Sequence, residues 1–109
     1  MRFDWDDTKN KSNFKKHSIW FEEAKTVWAD PKSVEFLDPE HSDDEDRFIR
    51  IGFSTSNRIL VVVFCERDEE DESIIRLISA RKATPKEVSE HEKRIRPESI
   101  KKTSRQSQS

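Results

Sequence analysis

The sequence has one cysteine, Cys65, and no tyrosine among its 109 residues. A single cysteine excludes an internal disulfide framework and a cysteine-built zinc site. Cys65 sits in an apolar run and reads as a small buried hydrophobe. The absence of tyrosine removes one general acid from any proton-transfer chemistry. The three histidines, His17, His41 and His91, are dispersed without metal-ligand spacing, so no metal site is expected. No stretch approaches the ~20 consecutive apolar residues of a membrane span. Near the start, Arg2, Asp4, Asp6 and Asp7 interrupt any apolar run, so no signal peptide is expected. The expectation from these absences is a soluble, cytoplasmic chain, and no cofactor is expected.

Core-forming residues are also scarce: 31% of the chain is hydrophobic against 40% charged. Seven phenylalanines and three tryptophans compensate in part, because each brings a large buried area. The expectation is one small domain over residues 1–96 with a thin core, followed by a disordered tail, 97–109, of lysine, serine, glutamine and arginine. The net charge of −2 conceals a division. Residues 76–109 hold ten Lys/Arg and four Asp/Glu (+6), and residues 1–75 hold eleven and nineteen (−8). Such a division suggests an anion-facing C-terminal end and acidic surfaces suited to a basic partner.

The patterning predicts an α+β fold: a small antiparallel sheet, two N-terminal helices packed on it, and a C-terminal helix. Met1–Asp4 reads as a short edge strand. Asp6 or Asp7 caps a mostly polar helix, Thr8–His17, anchored by Phe14. A second helix spans Phe21 to Ala29, with Phe21, Ala24, Val27 and Trp28 on one face, and Asp30-Pro31 ends it. Ser33–Leu37 is a strand, and Asp38–Asp46 is an acidic loop. Arg47–Ser54 alternates, with Arg47, Ile49, Ile51 and Phe53 on one side and Phe48, Arg50, Gly52 and Ser54 on the other. Arg58–Arg67 holds the strongest apolar run, Ile59–Cys65, and should be the central strand, buried on both faces. Asp68–Glu72 reads as a five-residue acidic turn, and Ser73–Arg81 as the last strand. Thr84-Pro85-Lys86-Glu87 carries a capping box with proline at the first helical position, and Pro97 should stop that helix near Ile95.

The strand leading into this helix contains Arg76 and Arg81, with Lys82 next. Arginine is costly in a strand that packs on a core. Either these cations pair with the acidic loops, or they face an anionic ligand. They are five positions apart, so on a regular strand they point to opposite faces unless the strand ends or bulges before Arg81.

Three blocks together resemble the BrnT toxins of bacterial type II toxin–antitoxin modules, over about residues 3–90. The first is Phe3-Asp-Trp-Asp-Asp-Thr-Lys-Asn-Lys-Ser-Asn-Phe-Lys-Lys-His17 with Phe21-Glu-Glu-Ala24. The second is Asp38-Pro-Glu-His-Ser42 with Asp46-Arg-Phe-Ile-Arg-Ile-Gly-Phe-Ser54. The third is Arg58-Ile-Leu-Val-Val-Val-Phe-Cys-Glu-Arg67 with Ile75-Arg-Leu-Ile-Ser-Ala-Arg-Lys-Ala-Thr84. The resemblance implies a fold similar to the RelE ribonucleases and an endoribonuclease that lowers translation. It also implies a BrnA-like ribbon-helix-helix antitoxin, assembled as two toxins with two antitoxins, through which operator DNA is contacted. Trp20 departs from the small capping residue common before Phe-Glu-Glu-Ala, so that helix start should be capped differently.

Metal-independent cleavage of RNA needs cations at the scissile phosphate, a base for the 2′-OH and a proton donor for the 5′ oxygen; preorganised cations usually supply the largest share. Arg81 and Arg76 are the candidates for the phosphate, with Lys82 in support. Glu66 and His17 are acid–base candidates. Arg67, Arg58 and Lys16 are candidate RNA contacts. Each has a plainer reading: ion pairs for the arginines, an exposed strand-end carboxylate for Glu66, and a charge complementing the helix C-terminus for His17. His41 divides the same way, and His91 reads as a surface residue of the last helix. The rival to an enzyme is a non-catalytic module that only binds a DNA-binding partner, a reading the net negative charge favours.

Overall fold

The computed structural model describes residues 1–38 and 46–100, the last seven of them by their backbone alone. Five strands form one sheet in the order β1-β5-β4-β3-β2. The strands are β1 (Arg2–Asp4), β2 (Val34–Leu37), β3 (Arg47–Phe53), β4 (Ile59–Glu69) and β5 (Glu72–Lys82). Pairing is antiparallel except for β1, which lies parallel to β5. Among the described residues three helices, α1 (Asp7–His17), α2 (Phe21–Ala24) and α3 (Pro85–Ile100), accompany the sheet, with a 3₁₀ turn at Lys25–Ala29 continuing α2.

Alternation divides each strand between two faces. On the helix-covered face, Leu60, Val62 and Phe64 of β4 and Ile75, Leu77 and Ala80 of β5 meet Ile19, Phe21, Ala24 and Val27. Aromatic rings extend this small core. Trp28 meets Phe64 and Phe3 edge-on at 4.9 and 5.1 Å, and Phe48 stacks on Phe64 at 5.6 Å. The alternation in β3 follows the sequence pattern: Phe48, Arg50 and Gly52 pair with Phe64, Val62 and Leu60 of this face.

α1 docks differently from expectation. Phe14 is exposed and stacks on Trp20 at 4.2 Å, while Asn10 and Asn13 are buried. The helix has no apolar stripe, so its amides make the attachment. Asn13 donates to the Ala80 carbonyl (2.8 Å) and accepts from the Ala80 N–H (3.0 Å), completing the edge of β5 where β1 has ended. Asn10 accepts from the Phe21 N–H at 2.7 Å and so caps α2, the task that Trp20 has no side-chain group to perform. Asp6 caps α1.

With one glycine in the chain, turns use other residues in the left-handed region: Ser18, Asn57, Glu70 and Asp71 all have φ between 51° and 68°. Glu70 and Asp71 alone make the β4–β5 turn, because Asp68 pairs with Ser73 and Glu69 with Glu72. The five-residue turn expected there is therefore two residues joining longer strands. The glycine itself serves close approach: a Cβ on Gly52 would lie 2.5 Å from the Ser33 Cβ. α3 runs through Pro97 to Ile100, beyond the stop expected at that proline. Residues 97–100 of the expected tail are thus helical, and residues 101–109 lie outside the described residues, as does His41. Among the described residues no helix is long and apolar enough to cross a membrane.

Candidate functional site

The decisive local event is a bulge in β5. Val63 pairs with Ser79 and Phe64 with Leu77, leaving Ile78 as an extra residue. One extra residue reverses the alternation. Arg76, opposite Cys65, and Arg81, opposite Val61, therefore lie on the same face, the one away from the aromatic core. The condition attached to opposite faces, that the strand not bulge, fails here.

Same face does not mean same site. At one end of β5, Arg76 places Nη1 2.6 Å from Asp4 Oδ2 of the edge strand. Five residues on, Arg81 enters a cleft of about 430 Å³, inside the ~300–1,000 Å³ range of small-ligand sites. Apolar side chains of β2, β3 and β4 (Phe36, Ile49, Ile51, Val61 and Val63) form its wall. Asp38, Arg47, Ser79, Arg81, Glu87, Glu90 and His91 supply its polar groups. α3 crosses this cleft at its start, directly after β5.

Arg81 is held at both arms. Its Nη1 and Nη2 each lie 2.8 Å from a Glu87 carboxylate oxygen, a bidentate pair. Glu87 also closes the expected capping box: it accepts from the Thr84 N–H at 2.8 Å, and its own N–H donates to Thr84 Oγ1 at 3.2 Å. The Arg81 hydrogen bonds, with smaller help from Thr84, hold the Glu87 carboxyl at a pKa of about 2 against desolvation. The same pairing raises Arg81.

His91 is 1% exposed, and neither ring nitrogen meets a hydrogen-bond partner among the described residues. Arg47 Nε is buried without a partner in the same cleft, while its Nη2 lies 3.7 Å from Asp38 Oδ2. The burial of His91 overturns the surface position expected for it. The signal that points inward is its spacing: His91 lies four residues after Glu87 and so shares its helix face.

The remaining candidates fall elsewhere. Lys16 and His17 of α1 line a second, shallower groove of about 230 Å³ with Lys9, Ser12, Asn13, Ile78 and Ser79. Ser79 borders both cavities, because β5 has no strand neighbour on that side after Arg76. Lys82 is exposed at the strand end, paired with Leu60 and so turned to the opposite face from Arg81. Glu66 is exposed on the opposite face from the cleft, paired with Ile75, and accepts from Ser73 Oγ at 2.8 Å. Arg67 is exposed and pairs with Glu69 at 3.4 Å. Arg58 braces α2: its guanidinium pairs with Glu23, which also accepts from Ser54 at 2.7 Å. That pairing lowers the Glu23 pKa and raises that of Arg58. Among the described residues no group of three or more acidic, histidine or cysteine side chains has the geometry to hold a metal ion.

This geometry can be set beside known proteins. The sequence pattern of the family described as "Ribonuclease toxin, BrnT, of type II toxin-antitoxin system" matches residues 5–87. The crystal structure of the Brucella abortus ribonuclease toxin BrnT is similar in fold, with a TM-score of 0.55 and 24% identity, over 77% of this chain and 97% of that one. A search of the curated proteins finds no match. The matched segment takes in β2 to β5 and ends at Glu87, the residue that grips Arg81. The chain belongs to the BrnT family of ribonuclease toxins of type II toxin–antitoxin systems.

Proposed function

We propose that this chain cleaves RNA in the cleft beside Arg81, by internal transfer of the phosphate to the neighbouring 2′ oxygen and without a metal. The observation that carries the reading is the convergence of Arg81, Arg47 and Ser79 on one cavity of nucleotide scale. Guanidinium groups fixed in place stabilise the charge that grows on the phosphate oxygens as the 2′ oxygen attacks. The groove holding Lys9, Lys16 and His17 meets the cleft at Ser79, and offers the flanking phosphates a path over the open edge of β5. Arg76, Arg58, Arg67, Lys82 and Glu66 stand outside this path and serve structure, or contacts with more distant nucleotides.

The toxin is silenced by an antitoxin, for which we propose a ribbon-helix-helix protein in a complex of two toxins with two antitoxins that contacts operator DNA. The hairpin tip exposes Asp68, Glu69, Glu70 and Asp71, and such a surface steers a basic partner. Reversing these charges should slow association and flatten its salt dependence. An unchanged rate would remove the tip from the interface.

One observation favours the rival of a non-catalytic binding module: both arms of Arg81 are already occupied by Glu87. Induction of wild type and Arg81→Ala in bacteria, with RNA integrity followed, separates the two. RNA degradation by wild type alone supports the enzyme, and intact RNA in both supports the module. Purified wild type that keeps its rate in excess chelator supports the metal-independent route.

A further inference from the structure

The cleft has cations for a phosphate, yet the acid–base candidates taken from the sequence lie outside it: Glu66 on the opposite face of the sheet, paired with Ile75, and His17 across the edge of β5. The titratable side chains that do line it are Asp38, Glu87, Glu90 and one imidazole, His91, and the imidazole is the group without a hydrogen-bond partner among the described residues. A buried ring with two unpartnered nitrogens costs folding free energy, and an exception of this kind calls for a reason. Packing alone is a poor one, since an apolar side chain would fill the space without that cost.

α3 is also lightly held over the cleft. Of residues 85–93, only Glu87, Val88 and His91 turn away from solvent; Pro85, Lys86, Ser89, Glu90, Glu92 and Lys93 are exposed. The polar tie is the Glu87 carboxylate on Arg81. A carboxylate with two oxygens on a guanidinium occupies the positions that two phosphate oxygens would take. The helix therefore carries an anion seated where a substrate anion fits, with an unpartnered histidine four residues behind it.

We infer that His91 is the proton-transfer residue of this cleft, and that an RNA phosphate reaches it by replacing Glu87 on Arg81. The inference rests on the cleft being the RNA site. With the phosphate on Arg81, α3 shifts and the ring meets the ribose. A neutral ring nitrogen takes the proton of the 2′-OH, and the 2′ oxygen forms its bond to phosphorus. The bond from phosphorus to the 5′ oxygen breaks, its electron pair goes to that oxygen, and the imidazolium returns the proton there. The products are a 2′,3′-cyclic phosphate and a 5′-hydroxyl end, with no net proton gained or lost. Five charged groups face the ring in the cleft: Asp38, Arg47, Arg81, Glu87 and Glu90.

The test uses the full chain and an end-labelled single-stranded RNA of mixed sequence, with kcat and KM measured for wild type, Arg81→Ala, His91→Ala and His91→Gln, and melting temperatures alongside. The expected result is a fall in kcat of about 10²–10⁴-fold for both His91 variants with KM within about threefold of wild type. Added imidazole should restore part of the His91→Ala rate, by entering the space the ring leaves, and should do nothing for Arg81→Ala. Wild-type rates in His91→Ala and His91→Gln overturn the inference while leaving the cleft as the RNA site. So does a loss that follows melting temperature in both variants and ignores imidazole, which identifies a packing residue. Cleavage that survives Arg81→Ala overturns the reading of the cleft, and this inference with it.

Discussion

The helix-covered face of the sheet buries Asn10, Asn13 and Ser54 and gives each side chain hydrogen bonds; the cleft face buries His91 and gives its ring none. The first face meets α2 and its 3₁₀ continuation through Phe21, Ala24 and Val27, all fully buried. The second meets a single helix through three side chains of its first two turns, leaving about 430 Å³ open beside Arg81. A sheet this small has one set of aromatic residues to spend, and it places them on one side. Stability is concentrated there, and the other side is left with an open cleft.

Truncation should expose that inequality most strongly. Phe64 is fully buried between Trp28 and Phe48, and Phe64→Ala should cost ~3–5 kcal/mol in urea denaturation. Ile49 on the cleft face is half-buried, and Ile49→Ala should cost less, at most about 2 kcal/mol, because it already borders open space. Equal costs would mean that both faces carry the fold.

The two arginines of β5 sharpen the contrast within one face. Arg81→Ala should lower RNA cleavage by about 10²–10³-fold, the typical effect of losing one preorganised donor at developing charge. Arg76→Ala, which removes an ion pair to Asp4 that is about two-fifths exposed on each side, should leave cleavage within a few-fold of wild type. A comparable loss in both would make the whole face one site.

Asn13 tests the opposite side. Asn13→Leu keeps the volume but strips the partners from the Ala80 N–H and the Ala80 and Ile19 carbonyls, and should cost about 1–3 kcal/mol. The loss should appear as faster amide exchange at Ala80. Unchanged exchange there would show that β5 does not rely on the amide to close its edge.

Much of this architecture was legible in the sequence. The alternation in Arg47–Ser54, the apolar run Ile59–Cys65 and the Thr84–Glu87 capping box each stated a local rule that the fold obeys. What escaped was non-local. Nothing in the spacing of Asn13 says that its amide will finish a strand 67 residues away. Nor does the run Leu77-Ile78-Ser79 announce a bulge, since any of the three could carry the extra residue. That one residue decides which face Arg76 and Arg81 share. His91 was missed although it lies three residues after Val88 and four before Ile95, on the apolar side of the helix, because an imidazole flanked by Glu90 and Glu92 reads as a surface residue. The inner side is set by Glu87, whose capping role was plain while its partner Arg81 was not.

The smallest expected effect bears on that pair. Glu87→Gln preserves the capping box, since glutamine makes the same bonds to Thr84, but it removes the charge that holds Arg81. The pair is partly exposed, so its worth is modest, and RNA affinity should rise by roughly two- to fivefold as Arg81 becomes free for phosphate. The pH dependence has a fixed sign. The Glu87 carboxyl is depressed from 4.5 to about 2, so its contribution to docking α3 is complete above pH 4.5 and is lost as pH falls through about 2. The Arg81 Nε–H resonance should therefore move over that interval in wild type and stay still in Glu87→Gln. If Glu87 instead orients Arg81 for catalysis, the same substitution lowers kcat and leaves affinity unimproved, and the helix then supports the site rather than guarding it.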